Sequence, residues 1–287
     1  MTSTITRRTL LGAGAATVPL ALAGTANAAQ QSSRPRSPLE GVTPTPRTHA
    51  HNDYEHVRPL FDALGQGFVS VEADIWLVGG ELYIGHDGPD LTRTLRGLYL
   101  DPLARLAKAG RGWIYPGHRV GLQLLIDVKS PGDPVWPVLQ RQLASYRGLF
   151  TYWRNGRRHP GPVTAVLSGE LAQRTSTERL RWAGFDGRLR TPLPAGATPE
   201  QLPLLSDNWA LMFTWQGVGP MPPAERARLQ ELVAAKHSAG YQVRFWNTPD
   251  LPGPARTAVW TELWAAGVDY LNTDDLAGLR EFVRAQR

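Results

Sequence analysis

A chain of 287 residues, 42% apolar and 20% charged, can bury one large core or two small ones, and its ten tryptophans exclude a disordered or low-complexity polymer. It contains no cysteine, which excludes disulfide scaffolds, thiolate metal sites and a cysteine nucleophile. The net charge of +6 includes Arg7 and Arg8, and the rest is spread without a long run of like charges. That is a weak steering field, so no nucleic-acid partner is expected. Only three of the 31 basic residues, Lys108, Lys129 and Lys236, are lysine.

The first 28 residues read as an address. Thr6-Arg7-Arg8-Thr9-Leu10-Leu11 opens the chain with no acidic residue before Glu40, an Ala/Gly-rich apolar stretch follows to Ala23, and Ala26-Asn27-Ala28 offers a small-residue cleavage site. This layout predicts a twin-arginine-type signal and an exported protein, periplasmic or extracellular. Gly12, Gly14, Thr17 and Pro19 make the stretch too short and too weakly apolar for a membrane span of about 20 residues. Residues 29–46, rich in Pro, Ser and Gln, predict a flexible lead-in, with a single domain over 47–287.

From Arg47 onward, β-branched strands alternate with helices. Strands are expected at Phe68–Ile75, Leu122–Val128, Val163–Leu167, Tyr241–Trp246 and Val268–Leu271. Helices are expected at Val135–Tyr146, behind an Asp133 N-cap and Pro134, at Glu225–Ser238, ended by Gly240, and at Ala255–Ala266, ended by Gly267. Alternation over roughly 240 residues predicts an α/β fold, a (β/α)8 TIM-type barrel of about 250 residues. The competitor, a doubly wound sheet, lacks its glycine-rich nucleotide fingerprint after the first strand.

Polar residues at strand ends carry the chemistry. Glu72 and Asp74 are two apart and share one strand face, while Val69, Val71, Ala73 and Ile75 share the other. Asp127 and Lys129 repeat the arrangement, and a rare lysine inside a core strand suits a compact cation facing a developing oxyanion. His51 ends the first strand. A second imidazole, His86, follows a hairpin around Val78-Gly79-Gly80. A three-residue loop there sets His86 opposite Glu72 on the shared face; a two-residue Gly79-Gly80 turn sets it opposite Ala73 on the wrong one. A site containing His86 therefore needs the longer loop or a bulge. Three carboxylates without cysteine favour one hard divalent cation, Mg2+ or Ca2+. Two histidines flanking such an ion suit phosphoryl transfer.

With these residues the chain resembles the phosphatidylinositol-phospholipase-C-like phosphodiesterase superfamily, which includes glycerophosphodiester phosphodiesterases and sphingomyelinase D-like toxins. The resemblance rests on His51-Asn52, Glu72-x-Asp74, Gly85-His86-Asp87, Asp127-x-Lys129, Trp246 and Gly267-Val268-Asp269 … Asn272-Thr273-Asp274, in order across nearly the whole of 47–287. It implies a TIM-type barrel with His51 and His86 as acid–base pair, Glu72, Asp74 and Asp127 as metal ligands, and Lys129, Trp246 and Asn272 lining the phosphate pocket. His51-Asn52 and Asp127-Val128-Lys129 depart from the glycerophosphodiesterase His-Arg and Glu-x-Lys, toward the phospholipase D toxins or a branch with His-Asn-Asp-Tyr. Asn52 joins the substrate-binding candidates with Arg188 and Arg244.

The expected activity is phosphoric diester hydrolysis of a small-molecule or lipid substrate, by water or by the substrate's own hydroxyl, in a monomer with no transmembrane span and transient contact with membrane surfaces. Rival expectations are a TIM-barrel glycoside hydrolase with Glu170 as acid, and a non-catalytic metal- or lipid-binding barrel. Tyr146–Pro160 is expected as a solvated loop at the N-terminal end of the barrel. Asp186-Gly187-Arg188 is expected in a loop following a strand. His49, His56, His118, His159 and His237 read as structural or exposed.

Overall fold

The computed structural model describes residues 36–286, which belong to one compact unit. The signal and most of the lead-in expected before residue 36 lie outside the described residues. From the end of the lead-in, Leu39 and Thr45 are buried, and Thr45 bridges in parallel to Phe68.

Eight parallel strands close a barrel: β1 (Thr48–Ala50), β2 (Ser70–Val78), β3 (Leu122–Val128), β4 (Val163–Gly169), β5 (Gly184–Arg188), β6 (Leu204–Asn208), β7 (Gln242–Trp246) and β8 (Tyr270–Thr273). They neighbour one another in chain order, and pairing of β1 with both β8 and β2 closes the ring. The expected TIM-type barrel is therefore present. Helices follow six strands: α1 (Phe61–Gly65), α2 (Asp101–Ala109), α3 (Gly132–Ser145), α4 (Trp209–Met212) with α5 (Pro223–Ser238), α6 (Pro254–Ala266) and α7 (Leu276–Ala285). The connections after β4 and β5 carry no helix.

Alternation along the strands sorts the chain into two interiors. Val71, Ala73, Ile75, Leu124, Ile126, Val243 and Phe245 face the helices and join one large apolar cluster. Inside the ring, Leu125, Val166 and Leu204 form a small apolar plug. Above it the strand register builds polar rows: Asp74, Asp127 and Ser168 stand side by side across β2, β3 and β4, and Arg188, Ser206 and Arg244 across β5, β6 and β7. The core that stabilises the barrel lies outside it, so its mouth is free to be polar.

Four local expectations are corrected. The β2 hairpin has the short turn: Val78 pairs with Glu81 and Ile75 with Ile84, across Gly79 (φ 58°) and Gly80 (φ 87°). Paired glycines satisfy the two positive φ angles of a tight turn without strain. Tyr146–Pro160 is not a plain loop, because Tyr152–Arg154 and Arg157–His159 pair as a hairpin that buries Trp153. Asp186-Gly187-Arg188 lies within β5, where buried partners on both sides extend it. Asp133 does not cap α3; Pro131 holds the N-cap position and Asp133 pairs with Arg174.

Candidate active site

The C-terminal ends of the strands enclose a cavity of about 310 Å³ lined by His51, Asn52, Glu72, His86, Asp127, Lys129, Arg188, Arg244 and Trp246, together with Ser168, Gly169, Asp186 and Ser206. Nine of the eleven residues expected at a site thus line one cavity. The other two, Asp74 and Asn272, are buried and hydrogen-bonded to wall residues Lys129 and Arg244.

His86 arrives by a route different from a longer turn. The ladder with β2 ends at Ile84, and Gly85 N donates to Asp74 O at 3.2 Å, so His86 lies past the last paired residue. Strand parity no longer fixes its face. Gly85 permits the bend, because a Cβ there would overlap Gly88 O at 1.9 Å. The His86 Nδ1 lies 3.0 Å from Asp87.

His51 is held by Asp274, with Nδ1 and Oδ1 2.8 Å apart. Burial works against charge on this imidazole, but the Asp274 hydrogen bond and the Glu72 carboxylate outweigh it and raise its pKa. Next in the chain, Asn52 takes the left-handed conformation (φ 45°) that Asn tolerates, turning the backbone sharply behind His51. Tyr54 hydroxyl contacts both Asn52 Oδ1 (2.9 Å) and Asp74 Oδ2 (2.8 Å). Asp53 accepts from Leu60 N and the Tyr99 hydroxyl, which anchors the loop from below.

Charges across the cavity are interleaved. Lys129 Nζ lies 2.7 Å from Asp127 and 3.0 Å from Asp74. Partial burial opposes its charge, but these two carboxylates prevail and raise its pKa, so it stays an ammonium. Asp127 also accepts from Ser168 at 2.5 Å. Burial, with Glu72 and Asp127 nearby, pushes Asp74 up to about 6 against the opposing pull of Lys129 and Tyr54. Glu72 is the reverse case: burial is outweighed by Arg244 and by the His49 hydrogen bond, which hold the carboxyl well below the usual range. Opposite, Asp186 accepts from Arg188 (2.6 Å) and Ser206 (2.5 Å), yet burial pushes it up to about 6.

A divalent cation is implied by the resemblance, and among the described residues no three His, Asp or Glu side chains are spaced as a ready-made cage. The donor chemistry does fit a hard cation. Glu72, Asp74 and Asp127 are all oxygen donors on two adjacent strands, and Asp74 Oδ1 is buried without a partner. Lys129 now fills the gap between two of them.

The expected glycosidase acid, Glu170, is exposed and outside the cavity wall. Asp274, Tyr54, Asp186 and Ser206 were not assigned roles from sequence. Asp274 and Tyr54 had signals, since they close the Asn272-Thr273-Asp274 and His51-Asn52-Asp53-Tyr54 motifs; Asp186 and Ser206 become visible only when strands are set side by side. No helix among the described residues is long and apolar enough to cross a membrane.

Comparison with known proteins fits this geometry. The model of an AIM6-like phosphodiesterase domain matches residues 37–182, and that of the glycerophosphoryl diester phosphodiesterase family matches residues 242–277. The "Altered inheritance of mitochondria protein 6 homolog" of Arthroderma benhamiae is 30% identical over 270 residues, covering 84% of this chain and 85% of that protein. "Altered inheritance of mitochondria protein 6" of Saccharomyces cerevisiae strain S288c is 26% identical, covering 82% and 70%. Among solved structures, a calcium-dependent phosphoinositol-specific phospholipase C from Pseudomonas sp shares the fold, with TM-score 0.50, 12% identity and coverage of 82% of this chain and 92% of that one. The expectation of twin-arginine export is corrected by the curated relatives, whose names refer to inheritance of mitochondria and not to an exported bacterial protein. The chain belongs to the AIM6-like phosphodiesterase family, within the superfamily of phosphatidylinositol-phospholipase-C-like and glycerophosphodiester phosphodiesterases.

Proposed function

We propose that the cavity hydrolyses phosphoric diesters, glycerophosphodiesters or phospholipid head groups, with His51 and His86 as proton carriers. The observation that carries this reading is the meeting of two imidazoles with the cations of Lys129, Arg188 and Arg244 around one space of about 310 Å³. An imidazole whose Nδ1 is held by a carboxylate presents Nε2 as a strengthened base, so His51 takes the proton of the attacking hydroxyl. His86 gives a proton to the leaving oxygen. Lys129 and Arg188 face the phosphoryl oxygens, where fixed positive charge stabilises the transition state more than the ground state. Asn52 and Trp246 complete the wall, and Asn272 orients Arg244 through bonds of 2.6 and 3.0 Å.

Glu72, Asp74 and Asp127 are the residues that would hold one Mg2+ or Ca2+, which when bound supplies Lewis acidity to the phosphate. The buried, unpartnered Asp74 oxygen supports this set. Contact with a lipid surface at the mouth belongs to the same reading. Val57, Leu91, Leu211, Val218 and Leu251 are exposed on connections that leave the strand C-termini.

The test is a panel of bis(p-nitrophenyl) phosphate, glycerophosphodiesters and phospholipids, each with Mg2+, Ca2+ and EDTA. Turnover lost in His51→Ala and His86→Ala is expected. Absence of turnover on every diester would leave a binding barrel, and undiminished activity after complete metal removal would remove the cation from the mechanism.

A further inference from the structure

Behind the cavity wall lies a chain of hydrogen bonds that the proposed reaction does not use. Gln123 Nε2 donates to Ser70 Oγ (2.9 Å), Ser70 Oγ meets His49 Nδ1 (2.7 Å), His49 Nε2 meets Glu72 Oε2 (2.9 Å), and Arg244 Nη2 donates to the same oxygen (2.8 Å). His49, Ser70, Gln123 and Arg244 are all buried. The series runs down the barrel from Glu72 in the mouth to Gln123, which lines a separate cavity between the N-terminal strand ends.

The proton positions along it follow from chemistry. Glu72 Oε2 already accepts from the Arg244 guanidinium, which can only donate, so the hydrogen between that oxygen and His49 sits on Nε2. His49 is fully buried, and the Gln123 amide nitrogen behind Ser70 can only donate, so the Ser70 hydroxyl hydrogen is directed at His49 Nδ1. Nδ1 of a neutral imidazole protonated at Nε2 is an acceptor. Ser70 must then donate to it, and Ser70 Oγ is left to accept from the Gln123 amide. One tautomer satisfies every member, and each member is set by the next.

The consequence at the site concerns which oxygen of Glu72 is free. Both described hydrogen bonds to this carboxylate end on Oε2, one from His49 and one from Arg244. Oε1 is left for whatever the cavity holds. We propose that His49 is a positioning residue that, with Ser70 and Gln123 behind it, locks Glu72 by one oxygen and thereby sets both its other oxygen and the Arg244 guanidinium at the cavity wall. This rests on Glu72 and Arg244 belonging to the proposed phosphodiesterase site.

Three variants of the full chain test this: His49→Phe, which keeps ring volume without hydrogen bonds, His49→Gln, which keeps a donor and an acceptor, and Ser70→Ala, which removes the donor to Nδ1. In His49→Phe, kcat on bis(p-nitrophenyl) phosphate should fall about 10- to 100-fold and affinity for Mg2+ or Ca2+ by calorimetry should weaken by a similar factor, with KM little changed. His49→Gln should recover most of both, and Ser70→Ala should fall between. Nitrogen-15 spectra of the wild-type imidazole should show the Nε2–H tautomer, lost to a mixture in Ser70→Ala. A folded His49→Phe with unchanged kcat and cation affinity, a His49→Gln no better than His49→Phe, or an Nδ1–H or doubly protonated His49 would each overturn the proposal. If the wild type turns over no diester, the hydrolase reading fails by itself. The tautomer and the cation affinity then still decide the role of His49.

Discussion

Asp274 holds His51 Nδ1 at 2.8 Å across the junction between the last strand of the barrel and the first. The contact joins residues 223 positions apart and aims the imidazole into the mouth. Asp274 is itself placed by Asp250, which accepts from its backbone N–H at 2.7 Å. Asp274→Ala should lower kcat about 10- to 100-fold with little effect on KM, a modest loss because the carboxylate is more than half exposed to water. In its proposed role as base His51 must be deprotonated to act, and Asp274 raises its pKa. The acid limb of the kcat profile should therefore move to lower pH in the variant. A limb that stays in place would show that His51 does not set it.

Lys129 touches two carboxylates and lies on the cavity wall, so its removal has two effects that differ in readout. Lys129→Met should reduce kcat by about 10²- to 10³-fold, the loss expected for one preorganised charge at a phosphoryl oxygen. Lys129→Arg should recover little, since a planar fork cannot occupy the place of a compact ammonium between Asp74 and Asp127. Full activity in Lys129→Met would exclude contact with the transition state.

Asp53 contributes a pH dependence to stability that is separable from catalysis. Burial pushes it up to about 7, against the hydrogen bonds from Leu60 and Tyr99. Its folded pKa lies above its unfolded one, so the stability it contributes is full below pH ~4 and is lost as pH rises toward 7, by roughly 1.4 kcal/mol per pH unit. Asp53→Asn keeps an acceptor for Leu60 and Tyr99 and has no charge to bury. Urea titrations should show the variant gaining on the wild type between pH 5 and pH 7. Parallel curves would mean that Asp53 is ionised without penalty.

The exposed aliphatic residues at the mouth predict measurable lipid contact. Val57 is 94% and Leu251 87% exposed, on connections after β1 and β7. Each aliphatic side chain entering a bilayer contributes about 1.5–3 kcal/mol. The double variant Val57→Ser, Leu251→Ser should therefore sediment with anionic vesicles at least tenfold less than the wild type, with turnover of a soluble diester unchanged. Equal sedimentation would place these residues outside any lipid interface.

Much of the fold was legible in the sequence because it depends on local pattern. Leu122–Val128 is an apolar run of strand length broken only by Gln123 and Asp127, and Gly267, at φ 89°, ends its helix as its sequence position implies. The strands at Gly184–Arg188 and Leu204–Asn208 were not legible, since Asp186, Gly187, Ser206 and Asp207 break the apolar pattern. They are strands because neighbours on both sides supply hydrogen bonds and bury them. The His86 position shows the same limit. Parity along a ladder assigns faces only to paired residues, and Gly85 ends the pairing one residue earlier.

The sequence by itself determined the chemistry available: two imidazoles, three carboxylates and a rare lysine at the ends of apolar strands, with thiolate chemistry excluded by composition. Only the tertiary structure decided which of these groups neutralise one another. Lys129 lies between Asp74 and Asp127, Arg244 and His49 meet on Glu72, and Asp274 reaches His51 across the closure of the barrel. Spacing along a strand fixes the face of a side chain, whereas its electrostatic partner is fixed by strand register, which depends on closing the whole ring.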